Sequence, residues 1–245
     1  MQVNKGVYWA IDQIKVRSKK VITSWYQEFL AGAEIVVNDV TIKKGSADDK
    51  VLINEKEVDL KVSLISDDNA EIAEDGLYFI GAGLNVTYKN SQNKNKVLIN
   101  DSPTGEKPVV TCTNTITLNG TSLICKNVAL KLNENATYRF LTINTNNAPY
   151  VAFDGCNLEV PSTATQNAFC YASTAVAINS FTLHKSKIKI DKSTEYNIIS
   201  VGKDNFVNFN SISVENTIFY GNNASTFKLF GVNNGNTTNA GIGSL

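Results

Sequence analysis

Apolar and polar positions alternate along much of this chain, and four stretches share one ten-position form of the alternation. They read Leu123-Ile-Cys125-Lys-Asn-Val128-Ala-Leu130-Lys-Leu132, Val151-Ala-Phe153-Asp-Gly-Cys156-Asn-Leu158-Glu-Val160, Phe181-Thr-Leu183-His-Lys-Ser186-Lys-Ile188-Lys-Ile190 and Ile212-Ser-Val214-Glu-Asn-Thr217-Ile-Phe219-Tyr-Gly221. Positions 1, 3, 6, 8 and 10 are apolar or small, and the positions between are mostly polar. Strict alternation marks a strand with one buried face. The one-residue shift after position 3, flanked by two polar residues, marks a tight corner between two short strands. First positions fall at 123, 151, 181 and 212, steps of 28, 30 and 31 residues. Repetition at a near-fixed period predicts a solenoid, whose units bury their apolar faces only against one another.

A further strand-like run follows each repeat: Tyr138–Ile143, Ala168–Tyr171, Asn197–Val201 and Thr226–Phe230. Each coil then runs strand, corner, strand, loop, third strand, loop. That order predicts an all-β fold, a right-handed parallel β-helix with strands about 4.8 Å apart from coil to coil. The corner pairs are Lys126-Asn127, Asp154-Gly155, His184-Lys185 and Glu215-Asn216. Asn and Gly tolerate the left-handed backbone such a bend requires, and Lys185 is the exception. Stacking places equivalent positions in columns: Lys126, Asp154, His184, Glu215 at position 4, and Lys131, Glu159, Lys189, Tyr220 at position 9. Signs largely alternate, so we expect surface charge ladders, with His184 as a rung rather than a base.

The text before residue 75 is less regular. Ile35–Ile42 fits the template, so an early coil is one reading, and Ser24–Leu30 suits a short amphipathic helix. We place an N-terminal cap or small β-rich domain at 1–74 and the solenoid at 75–245. Gly241–Leu245 stops where a fifth repeat would begin, so we expect a solenoid cut short at its C-terminus.

Composition narrows the class. The chain is 42% hydrophobic with zero formal net charge, so it lacks the basic excess of a nucleic-acid binder. No apolar run reaches the ~20 residues of a membrane helix, so no membrane span is expected. No leader pattern follows Met1, so the expectation is a cytoplasmic chain or one that has lost its leader. Cys112, Cys125, Cys156 and Cys170 have no C-x-x-C spacing, and we expect free core thiols rather than a metal site.

The run from Lys96-Val-Leu-Ile-Asn through Pro108-Val-Val and Leu118-Asn-Gly120 to Leu123-Ile-Cys-Lys-Asn-Val-Ala-Leu resembles pectate-lyase-like β-helix proteins. In texture it is similar to secreted or surface-attached members from polysaccharide-degrading bacteria. The resemblance covers about two thirds of the chain and rests on coil texture, which carries fold better than function. It implies a secreted or cell-surface location and a place among lyases, glycosidases, carbohydrate-binding proteins and adhesins.

The enzyme branch needs particular groups. A uronate lyase neutralises the substrate carboxylate, usually with Ca²⁺ held by acidic side chains, and abstracts the adjacent proton with Arg or Lys. The chain has two arginines, Arg17 and Arg139, without an R-x-P-x-x-R pattern. It has no G-H-G motif either, and Asp48-Asp49 and Asp67-Asp68 stand in turn-like text. We therefore expect no catalytic constellation, no metal site and no cofactor; Ca²⁺ has no motif to support it. Sugar rings stack on exposed aromatics and their hydroxyls pair with polar side chains. Tyr138, Tyr150 and Tyr220, with Asn157 and Glu159, are the candidate carbohydrate-binding residues, and Tyr171 is a further exposed-aromatic candidate. The favoured expectation is a non-catalytic glycan-binding or scaffold protein. The alternatives are a polysaccharide lyase or hydrolase with an incomplete site, and an adhesin or phage-type spike. The sequence sets no oligomeric state.

Overall fold

The computed structural model describes residues 22–244 except 90–93, 134–138, 145–148, 163–167, 173–175, 191–195, 203–205, 222–226 and 233–240. Its dominant unit is a parallel β-solenoid. The first sheet stacks Lys61–Ile65, Gly76–Ile80, Lys96–Asn100, Leu123–Lys126, Tyr150–Asp154, Ser180–His184 and Ile212–Glu215. The second stacks Glu71–Ile72, Asn85–Tyr88, Val109–Cys112, Ala129–Leu132, Asn157–Val160, Lys187–Ile190 and Ile218–Tyr220. A third holds Ile116–Leu118, Leu141–Ile143, Ala168–Ala172, Tyr196–Val201 and Phe227–Val232, which are the third strand-like runs of the sequence. A short fourth sheet holds Val176–Ile178, Phe206–Phe209 and Gly241–Ser244. Parallel pairing already joins Lys61–Ile65 to Gly76–Ile80, upstream of the expected boundary at residue 75.

The ten-position template maps onto the first two sheets in register. Leu123 pairs with Val151, Val151 with Phe181, and Phe181 with Ile212, while Cys125, Phe153, Leu183 and Val214 form the next column. These side chains fill the solenoid interior with Leu130, Leu158 and Ile188 from the second sheet. Phe140 stacks on Phe169 at 4.7 Å, and Phe153 meets both edge-on. At the corner, Asn127, Gly155, Lys185 and Asn216 have φ of 54°, 64°, 49° and 50°. Lys185 is thus no exception, because the backbone ladder through the bend leaves it no choice. Asn127 N–H donates to Asp154 O, Gly155 N–H to His184 O and Lys185 N–H to Glu215 O, at 2.8–2.9 Å.

The residues ahead of the solenoid build a different object. Ser24 caps the helix Trp25–Leu30, its hydroxyl accepting from Gln27 N–H. Ile35–Val37, Val40–Lys44, Lys50–Ile53 and Lys56–Asp59 then form an antiparallel meander. The early-coil reading of Ile35–Ile42 is corrected here. Asn38 takes φ 57° in a two-residue turn, so the two strands pair with each other as a hairpin.

This meander lies over the outer face of the first sheet. Ile35, Val37, Val40, Ile42, Val51 and Ile53 pack on Leu77, Phe79, Val97, Ile99, Ile124 and Ala152, giving the molecule a second core. The outward columns of the first sheet track that cover. One runs Leu77, Val97, Ile124, Ala152, Thr182, Ser213 and the other Phe79, Ile99, Lys126, Asp154, His184, Glu215. Each turns from apolar to polar where the meander ends, since an outward side chain gains from being apolar only under cover. Polar contacts lock that margin. Asn38 Nδ2 donates to Phe153 O at 3.0 Å and Thr182 Oγ1 at 2.9 Å, and Ser180 Oγ bonds the Asp39 carboxylate at 2.8 Å.

Candidate functional site

Among the described residues, no helix or further sheet packs over the outer face of the second sheet. One outward column runs Thr87, Thr111, Lys131, Glu159, Lys189, Tyr220, and its neighbour runs Asn85, Val109, Ala129, Asn157, Lys187, Ile218. Val109 and Ala129 are small and apolar where the next rungs carry Asn157 and Lys187. The change in side-chain height hollows a depression of about 300 Å³, lined by Val109, Ala129, Lys131, Asn157, Glu159, Lys189 and Tyr220. That volume falls at the lower end of small-ligand pockets. A second hollow of about 310 Å³ continues past Lys131 and Glu159 to Thr111, Asn133 and Pro161.

Polar contacts order the rim. Lys189 Nζ lies 2.9 Å from Glu159 Oε1. Lys107, arriving from the preceding loop, donates to Asn157 Oδ1 at 3.0 Å. Burial, reinforced by the charge of Lys187, holds the Lys107 ammonium below the ordinary lysine range. Tyr220 stands 46% exposed at the edge of the sheet. The floor is apolar, the rim offers amide, carboxylate and ammonium groups, and one aromatic side chain stands free.

The structure therefore brings together three of the sequence candidates, Asn157, Glu159 and Tyr220. Tyr150 is elsewhere: it sits on the first sheet, half-buried against the second core, and lines a crevice of about 370 Å³ with Lys50, Asp59, Ser122 and Asn179. Tyr138 lies outside the described residues. Tyr171 is half-buried on the third sheet with the Arg139 guanidinium 3.6 Å over its ring. Lys107, Val109 and Ala129 were missed. The text did offer a signal, for Val109 and Ala129 are apolar at outward positions.

The first-sheet column stacks in register, and its side chains interact in two separate groups, Lys126 with Asp154 and His184 with Ser213 and Glu215. Lys126 pairs with Asp154 at 2.5 Å and also donates to Val36 O. Ser213 Oγ donates to Glu215 Oε1 at 2.8 Å, which leaves its lone pairs to accept from His184 Nε2–H at 2.7 Å. One member of each aspartate pair serves loop structure: Asp68 accepts from Asn85 N–H and Asp48 pairs with Lys44. All four cysteines are free and buried. Burial pushes the thiols of Cys112, Cys156 and Cys170 up to about 12 and that of Cys125 well above the usual range. Among the described residues, no three His, Cys, Asp or Glu side chains converge as a metal site, and no helix is long and apolar enough to cross a membrane.

Compared with protein-family models, curated proteins and solved structures, the chain matches none of them.

Proposed function

We propose that this protein is a non-catalytic, glycan-binding β-solenoid, secreted or held at a cell surface, that takes its ligand on the outer face of the second sheet. One observation carries the reading: Asn157, Glu159 and Lys189 ring an apolar floor beside an exposed aromatic, Tyr220, on a rigid sheet. A sugar presents the matching chemistry, with C–H faces for the floor and the tyrosine and hydroxyls for the rim. Stacked strands hold these groups without loop movement, which lowers the ordering cost of binding. The resemblance to pectate-lyase-like proteins supports the same class of ligand, and with it a bacterial, polysaccharide-handling setting.

Native affinity electrophoresis through gels cast with different plant and host polysaccharides, with and without Ca²⁺, tests the reading. Retardation by one polymer that stays intact supports it and gives the ligand class. Clearing of the polymer around the band contradicts it in favour of a lyase or hydrolase. Free migration in every gel contradicts it in favour of a scaffold or adhesin.

A further inference from the structure

We propose that the third sheet carries a second, separate site, which binds an oxyanion bearing a hydroxyl, as hydrogen phosphate does, at Arg139. Arg139 stands just ahead of the strand Leu141–Ile143, and its guanidinium sits over the Tyr171 ring, 3.6 Å from the centroid. Stacking of this kind fixes the guanidinium plane and leaves its fork of N–H donors aimed in the plane. Its Nη1 is shut off from solvent and has no hydrogen-bond partner among the described residues. A buried charged donor without an acceptor costs more than almost any other polar fault in a fold, so a partner anion is the natural remedy.

The neighbours share the same deficit. Ser200 is the rung partner of Tyr171, is buried, and has an unpaired Oγ. Tyr196 opens the same strand, is fully buried, and has an unpaired hydroxyl. Burial pushes the Tyr196 phenol up, and the Arg139 charge pulls more weakly the other way. The same charge acts on Cys170, beside Tyr171. Three donors thus stand without acceptors: Arg139 ahead of Leu141–Ile143, and Tyr196 and Ser200 on the strand Tyr196–Val201, two rungs further along the same sheet. Asn197 Oδ1, one residue on from Tyr196, is a buried acceptor without a donor. Hydrogen phosphate offers several acceptor oxygens and one O–H, the complement in kind of these unpaired donors and of the Asn197 acceptor. Sulfate lacks the hydrogen that Asn197 would receive.

The two arginines make the test direct. In the full chain the Nε–Hε resonances of Arg17 and Arg139 are told apart with Arg17→Lys, then titrated with inorganic phosphate, with sulfate, and with chloride at matched ionic strength. The Arg139 signal is expected to move saturably with phosphate, to move with sulfate at higher concentration, and to stay put in chloride. Ser200→Ala should weaken phosphate by roughly tenfold, the effect of one hydrogen bond to a charged group. Arg139→Gln should erase the stabilisation against urea that phosphate gives the wild type. An Arg139 signal indifferent to phosphate, or one that follows ionic strength alike in all three salts, overturns the proposal, because the guanidinium is then satisfied within the chain. The outcome is independent of glycan binding, which involves another sheet.

Discussion

Truncating Ile124 to alanine separates a bare solenoid from one whose first sheet is covered. Ile124 points out of the solenoid, between the outward Val97 and Ala152 on adjacent rungs, yet is fully buried by the meander. Losing three methylene-sized groups removes roughly 2.4 kcal/mol at roughly 0.8 kcal/mol each. The cavity left between two sheets adds to that, so the expected cost is about 2–5 kcal/mol. Ile218 supplies the control, since it is also outward but 56% exposed on the open sheet, and Ile218→Ala should stay within ~0.5 kcal/mol. Urea unfolding read by far-ultraviolet circular dichroism gives the global midpoint. Fluorescence reports the meander side through Trp25, which packs against the second core. The reasoning fails if Ile124→Ala costs no more than Ile218→Ala, because the meander would then contribute no burial to the first sheet.

Other consequences follow from the same geometry. Lys185 holds φ 49° at the corner, so Lys185→Asn should raise stability by up to ~1 kcal/mol, whereas Gly155→Ala at φ 64° should lower it by about 1–2 kcal/mol; thermal and urea midpoints read both. Asn38→Gly keeps the left-handed turn but removes the bonds to Phe153 and Thr182, at an expected cost of about 1–3 kcal/mol, with faster amide exchange confined to the meander. The thiols give a pH signature. Their folded pKa values are raised from 9.0, so above pH 9 the unfolded chain releases protons that the folded one keeps. Stability is therefore intact below pH 9 and falls as pH rises from there towards 12, by about 1.4 kcal/mol per thiol per pH unit. Lys96, buried in the interior and pushed down to about 8, opposes this between pH 8 and 10.5. Urea midpoints at pH 9, 10 and 11 should decline, and Cys170→Ala should shallow the decline; a flat profile would count against the buried thiols.

Much of the solenoid was legible because its inward columns are written as alternation, and alternation survives stacking. The same arithmetic placed Lys131, Glu159, Lys189 and Tyr220 in one column, so part of the candidate face could be read from the spacing alone. The flank was harder. Val97-Leu-Ile99 is a continuous apolar run, the mark of a strand buried on both faces, but nothing local says what covers its second face. Val37-Asn38-Asp39-Val40 looks like a solenoid corner because a left-handed Asn serves a corner and a two-residue hairpin equally; only the pairing partner, far along the chain, decides. Tyr150 precedes its template by one residue, and its surroundings are set by the meander rather than by its own repeat. Lys107 reaches Asn157 across 50 residues of sequence, a contact no periodicity records.

The measurement closest to the central claim compares point variants on whichever polysaccharide retards the wild-type chain. Tyr220→Ala and Asn157→Ala remove the exposed ring and a rim hydrogen-bonding group, while Tyr150→Ala alters a tyrosine on the far crevice. The account predicts that Tyr220→Ala weakens the retardation by roughly tenfold, the size of one lost stacking contact. Asn157→Ala should weaken it by less, and Tyr150→Ala should migrate as wild type. Retardation that survives Tyr220→Ala and Asn157→Ala but is lost in Tyr150→Ala would contradict the account and move the binding face to the crevice beneath the meander.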